Sequence, residues 1–348
     1  MRIEVFDPAV DTDKVKACYQ LYIAGKPVDD PDGPTMSAPV YSGWFVHGWD
    51  GSPREAALAA SGDDEACVGA YVLQLPDKEN THLGRLTILV APDQRRSGHG
   101  AELLQHAASR AADLGRTLLS GETRIGSPGT PFAAAIGARP ELLEVRRVLE
   151  LADIPAGRLA ELRGRAEEAA RGYSLIYWQG PTPEEHIDQV ATVVSAMADA
   201  PHSPGEEAHG SDAQRVRESD RRAAEQGVRR YSVAASCDRT GELAGLTQIG
   251  VDSTDPSWGF QFVTAVTRAH RGHRLGLLIK VAMLDRLATA EPGIRHIQTG
   301  NADSNQYMIA INAELGYKVL DEWRTWELDV AAVPAAISRV SRPGGAVR

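Results

Sequence analysis

The chain is written twice, and this duplication restricts its possible folds more than any other feature. The stretch "IEVFDP" and the helical pattern "DTDKVKACYQLY" return as "SLIYWQGP" and "PEEHIDQVATVVSAM", so that Phe6 corresponds to Trp178, 172 residues on. An arginine-rich turn recurs from Arg95 to Arg271, an offset of 176. A glycine that closes a short helical pattern recurs from Gly137 ("AAAIGAR") to Gly316 ("NAELGYK"), an offset of 179. Three landmarks in nearly one register imply a duplicated unit of about 170 residues, within ordinary domain size. Each copy reads strand, helix, helical or loop segment, two or three strands, basic turn, helix, strand, helix, strand. That order predicts an α+β fold made twice, each copy a mixed central β-sheet flanked by helices.

Composition places the boundaries. "PAGRLAELRGRAEEAARG", Pro155 to Gly172, is rich in Ala, Arg and Glu and lacks large aromatics. It predicts an exposed connecting helix that Gly172 stops. The expected division is a first domain over 1–154, a connector over 155–172, and a second domain over 173–330 that opens with a strand at Tyr173–Trp178. The remainder, 331–348, has little to bury and is expected to be a loose tail. In the second copy "RRYSVAAS", "ELAGLTQIGVD" and "GFQFVTAV" predict the central strands. "GLLIKVAMLDRLAT" predicts a helix on its apolar positions Leu277, Val281, Leu284 and Ala288.

The 348 residues carry a net charge of −10, which argues against a general binder of nucleic acid or anionic membranes. An anionic ligand is still compatible, because a few arginines and oriented amides reverse the field locally. Three widely spaced cysteines, Cys18, Cys67 and Cys237, indicate neither a disulfide framework nor a zinc site, and no metal is expected. No stretch approaches transmembrane length, so a cytoplasmic protein, monomeric or homodimeric, is expected.

The chemistry is concentrated in the two basic turns. In "QRRSGHG" the residues Arg95, Arg96, Ser97, Gly98, His99 and Gly100 lead into the helical pattern "AELLQHAASRAADL". In "HRGHRLG" the residues Arg271, Gly272, His273, Arg274, Leu275 and Gly276 lead into "LLIKVAMLDRL". Glycines let the backbone approach a ligand, a helix start offers free amides, and arginines add charge. This is a design for phosphate. Neither copy has the Lys-Ser/Thr of a P-loop or the third glycine of a dinucleotide fingerprint. The first fits [RQ]-x-x-G-x-[GA] directly after a strand in full, and the second fits it except that Arg274 stands at the middle glycine.

On these residues the chain resembles the GNAT superfamily of acyl-CoA-dependent N-acyltransferases, over nearly its whole length and as two tandem domains. The arrangement is similar to that of many actinobacterial acetyltransferases and, in general architecture, of mycothiol synthase. The resemblance implies acetyl-CoA as the coenzyme, with its pantetheine along Leu89 and Val90 in the first copy or Ala265 and Val266 in the second, and its pyrophosphate on the loop. It implies direct attack by an amine, helped by a base and commonly by an acid.

The family's final motif is matched in the second copy by Asn305 and by Gly316-Tyr317. Asn312 stands there where the family commonly has tyrosine. In the first copy Ala133 and Gly126 occupy the tyrosine and asparagine positions. The second copy is therefore expected to be the catalytic one, and the first a partly degenerate scaffold or a relic that still binds coenzyme. Base candidates come from "DAPHSPGEEAHG", which holds Asp199, His202, Glu206, Glu207 and His209; polar surface loop is the competing reading. In the first copy Trp44, His47 and Trp49 of "YSGWFVHGW" are candidate acceptor-wall residues, with core packing as the alternative. The resemblance implies an N-acetyltransferase of specialised metabolism acting on a small-molecule amine. The rival expectation is a non-catalytic acyl-CoA or ligand-binding protein.

Overall fold

A computed structural model describes residues 1–61, 66–208 and 210–340. The chain divides into two compact units, and neither is contiguous. The first contains Met1–Glu144, His202–Glu207 and Asp321–Arg348; the second contains Val145–Pro201 and Ala208–Leu320.

The first copy of the repeat supplies β1 (Arg2–Phe6), α1 (Thr12–Asp29), α2 (Ala38–His47), β2 (Arg54–Ser61), β3 (Ala66–Gln74), β4 (Leu83–Val90), α3 (His99–Asp113), β5 (Leu118–Arg124), α4 (Gly129–Ala135) and β6 (Arg139–Glu150). After α5 (Arg158–Ala169) the same order returns. It runs β7 (Tyr173–Gln179), α6 (Ile187–Ser195), α7 (Ala213–Glu225), β8 (Val228–Cys237), β9 (Leu243–Asp252), β10 (Trp258–Val266), α8 (Leu275–Ala290), β11 (His296–Ala302), α9 (Gln306–Leu315) and β12 (Lys318–Asp329). α10 (Val333–Val340) follows. The duplication read from three landmarks extends to every element.

The final strand of each copy departs from a contiguous arrangement. In the first unit the strand order is β1-β2-β3-β4-β5-β12-β6, and β12 pairs antiparallel with β5 from Trp323↔Arg124 to Asp329↔Leu118. In the second the order is β6-β11-β10-β9-β8-β7, with the later residues of β6 supplying its edge. The expected boundaries at 154 and 173 therefore describe the repeat and not the folded units. An open strand edge needs main-chain partners and is indifferent to how far along the chain they come from.

Two further expectations are corrected. α5 is not an exposed connector: Leu162 and Ala166 are fully buried in the second unit's main core with Val281 and Leu287. Its alternation of alanine and leucine is a packing stripe that its charged flanks conceal. The tail is not loose over its described part: Val333 and Ala336 on α10 are buried in the first unit's core beside Leu103 and Leu328. Residues 341–348 lie outside the described residues. α8 is buried on nearly every side from Leu275 to Leu284, as its unbroken apolar run requires, with Leu287 and not Ala288 packed inside at its end.

Candidate functional site

In each unit two parallel strands part midway, and each parting leads to a basic loop. β4 and β5 pair only over Leu83–Arg85 with Leu118–Ser120. Beyond this β4 stays with β3 through Val90, while β5 follows β12 through Arg124. The gap begins at Gly121, where a Cβ would stand 2.9 Å from the Leu86 carbonyl oxygen. β10 and β11 likewise pair only over Trp258–Phe260 with His296–Gln298. β10 also carries a register shift against β9 between Gln261 and Val263, whereas the β3–β4 register runs unbroken. The expected backbone positions Leu89, Val90, Ala265 and Val266 thus lie on the walls of the two gaps.

The loops reach the same backbone shape from different sequences. In the first, Arg96 (φ 66°) and Gly98 (φ 93°) are left-handed; in the second, Gly272 (φ 90°) and Arg274 (φ 54°) are. Each loop places glycine at one left-handed position and arginine at the other, in opposite order. That exchange explains how Arg274 replaces the expected glycine without a change of path: its side chain turns aside to Glu314, 2.6 Å away. α3 and α8 both begin without a side-chain cap, so the amides of His99 and Gly100, and of Leu275 and Gly276, face outward from the helix starts. His99 Nδ1 is buried without a partner among the described residues.

Arg95 and Arg271 do something other than line a pocket with free charge. Arg95 Nε donates to the Val90 carbonyl at 3.1 Å, and its Nη atoms grip both oxygens of Asp29 at 2.9 and 2.7 Å. Arg271 Nε donates to the Val266 carbonyl at 3.2 Å, and Nη2 reaches Asp199 at 2.7 Å. In both units the first arginine ties the end of the splayed strand to the region where the copy's first helix ends. Arg96 is exposed.

The gap of the first unit contains a carboxylate that sequence reasoning missed. Glu122 lies four residues beyond Leu118, on the β5 wall. Surrounding protein atoms, then the like charges of Glu144 and Glu206, push its carboxyl up to about 7, opposed by Arg85. Glu122 is nevertheless exposed, so water moderates the desolvation. The matching place in the second unit, four residues beyond His296, is Gly300. "LLSGETR" reads as an ordinary strand, and only the parallel register aligns its glutamate with the gap.

Glu206 and His202 were expected beside the second copy's acceptor site, but the segment His202–Glu207 belongs to the first unit. Sequence adjacency to α6 misleads here, because hydrogen bonds from the β3–β4 connection capture the segment. Glu206 pairs with Arg85, at 3.1 Å from Nε, and Arg85 Nη1 also reaches Asp50 at 3.2 Å. His202 is exposed. An open depression of about 610 Å³ lies beside the segment, lined by His82, Leu118, Arg139, Glu141, Gly205 and Glu327 among others. Glu207 is exposed, and His209 lies outside the described residues.

The remaining candidates fall into supporting places. Asn312 is fully buried; it accepts from Lys280 Nζ at 2.7 Å and donates to Asn301 at 2.8 Å. Burial pushes Lys280 down to about 7. Asn305 caps α9 through the Met308 amide. Trp44 packs on Tyr41 and Phe45 under the Arg54 guanidinium, whereas Trp49 is 51% exposed next to Asp50. His47 is half-buried at the end of α2. Cys18 is buried, and its thiol is pushed up to about 12 by desolvation, which disfavours a thiolate nucleophile. Among the described residues no group of three His, Cys, Asp or Glu side chains is disposed to hold a metal, and no helix is long and apolar enough to cross a membrane.

Comparison with known proteins agrees with this geometry. Residues 15–125, which include β4, its loop and α3, match the model of the acetyltransferase (GNAT) family. No curated protein sequence matches the chain. Among solved structures the chain is similar to a tandem GNAT protein from the clavulanic acid biosynthesis pathway, determined without AcCoA: 27% identity, TM-score 0.76, covering 94% of this chain and 99% of that one. It also resembles in fold a GCN5-related N-acetyltransferase from Sphaerobacter thermophilus, at 17% identity and TM-score 0.66, covering 94% and 95% of the two chains. The GNAT family model thus matches the first part of the chain, and the chain along nearly its whole length is similar to a tandem GNAT protein.

Proposed function

We propose that the protein is an acetyl-CoA-dependent N-acyltransferase that acetylates a small-molecule amine, with the chemistry in the first unit. The observation that carries this reading is Glu122 on the wall of the β4–β5 gap, where the second unit has only Gly300. A carboxylate pushed up to about 7 is matched to removing a proton from an amine near neutral pH.

The residues present fit an acyl-CoA. The uncapped start of α3, the left-handed Arg96 and Gly98, and the His99 Nδ1 that has no partner among the described residues form a place for a diphosphate. Val90 lies on β4 beyond its last pair with β5, where its main-chain amide borders the gap while Arg95 takes its carbonyl. Bound there, the coenzyme supplies an activated acyl thioester. The chain's own contribution is to orient the acceptor, expose it to Glu122 and take up its proton at a Glu122 carboxylate oxygen as the nitrogen attacks. No tyrosine occupies the usual acid position in either copy, so the thiolate, a good leaving group, departs without a protein proton from that position. The acidic groups Asp50, Glu122, Glu144 and Glu206 around one arginine favour a cationic acceptor.

The test is to supply acetyl-CoA with a panel of small amines and follow free thiol release. Amine-dependent turnover supports the reading. Tight coenzyme binding with no turnover for any amine would instead favour a non-catalytic acyl-CoA-binding protein.

A further inference from the structure

The segment His202–Glu207 is fastened to the first unit at each of its last three residues. The Gly205 amide donates to Glu327 Oε1 at 3.0 Å, and His82 Nε2 lies 3.0 Å from the Gly205 carbonyl oxygen. Asn80 holds the main chain of Glu207 from both sides, accepting from its amide at 2.6 Å and donating to its carbonyl at 3.1 Å. Between these clips, Glu206 Oε1 lies 3.1 Å from Arg85 Nε and 3.0 Å from Nη2. The seat is tight: a Cβ on Gly205 would come within 2.5 Å of Glu327 Oε1 and 2.6 Å of Leu118 Cδ2. Asn80 is itself buried and sits at φ 55°, a left-handed conformation that asparagine adopts more readily than other non-glycine residues.

This strap changes the charge balance in the cleft. Glu122 is faced by Arg85 from β4, Glu144 from β6 and Glu206 from the strap, while β12 sets the uncharged Thr325 opposite it. Arg85 is the cation among these, and left alone it would hold Glu122 ionised. Glu206 and Asp50 share its guanidinium instead. We propose that the His202–Glu207 strap is a built wall of the first unit's reaction cleft, and that Glu206 is a positioning residue whose hold on Arg85 leaves Glu122 free to accept a proton. The inference rests on the assignment of Glu122 as base.

The test needs no acceptor. The full chain is labelled with ¹³C at glutamate carboxyls, the Glu122 resonance is identified by its loss in Glu122→Gln, and its titration is followed in Glu206→Gln and Glu206→Asp. Glu206→Gln removes a like charge and releases Arg85, so the Glu122 midpoint should fall by about one pH unit, a tenfold loss of proton affinity. Glu206→Asp should restore most of it, which a purely structural role for the strap would not require. If Glu206→Gln disturbs folding, Arg85→Gln provides the opposite check, because removing the cation should raise the midpoint. An unmoved midpoint in a folded variant overturns the inference. The underlying assignment fails separately, if Glu122→Gln retains amine-dependent thiol release.

Discussion

At the scale of single residues, two buried or crowded groups make opposite demands. Glu122 ordinarily titrates near 4.5 and in the folded protein near 7. Between those values the unfolded chain gives up the proton first, so folding loses stability as pH rises through that window. Glu122→Gln should therefore unfold at a higher temperature than the parent above pH 7, with the difference closing below pH 4.5. The same variant should lose roughly 10²–10⁴-fold in turnover, the usual share of a general base, while coenzyme affinity is unchanged. In the parent, turnover should rise with pH through about 7. Asn312 is the contrasting case: fully buried and bonded to Lys280 and Asn301, it reads as part of the second unit's interior. Asn312→Ala should cost about 1–3 kcal/mol of stability, seen in urea titration, because the Lys280 ammonium loses its acceptor. Turnover per folded molecule should be unaltered.

Secondary-structure elements were more legible than side-chain roles. The two basic turns stood out because glycine, arginine and a helix start are local signals, readable within a dozen residues. What Arg95 and Arg271 do was not legible, since Asp29 and Asp199 lie 66 and 72 residues away from them. Each arginine ends a strand and braces it on the region where a helix closes. If the first unit works, Arg95→Ala should loosen the end of β4 and lower kcat/KM more than Arg271→Ala does. The reverse ranking, measured alongside coenzyme titrations, would return the chemistry to the second unit. Glu122 escaped sequence reading for a related reason. A glutamate in a strand is unremarkable until the pairing of Leu83 with Leu118 places it where two strands part.

For the whole molecule, the duplicated sequence does not fold as two successive pieces. Trp323–Asp329 pair with β5, and Leu328, Val330 and Val333 are buried in the first unit's core. Burying each such side chain is worth roughly 1.5–3 kcal/mol, and together they rival the net stability of a domain, about 5–15 kcal/mol. A chain ended after Leu320 should therefore lose cooperative unfolding of the first unit, although its first 144 residues are intact. Urea titration followed by tryptophan fluorescence would show this, and an unchanged first transition would refute the structural role of β12 and α10.

The amino-acid sequence by itself determined the duplication, the order of elements within each copy and the two glycine–arginine turns that open helices, because these depend on short-range periodicity and on backbone preferences of glycine. Only the tertiary structure decided which unit receives β12, α10 and the His202–Glu207 strap, and which gap holds a carboxylate. Those outcomes depend on strand edges and cleft walls choosing partners by geometry and charge, at separations that no local pattern encodes.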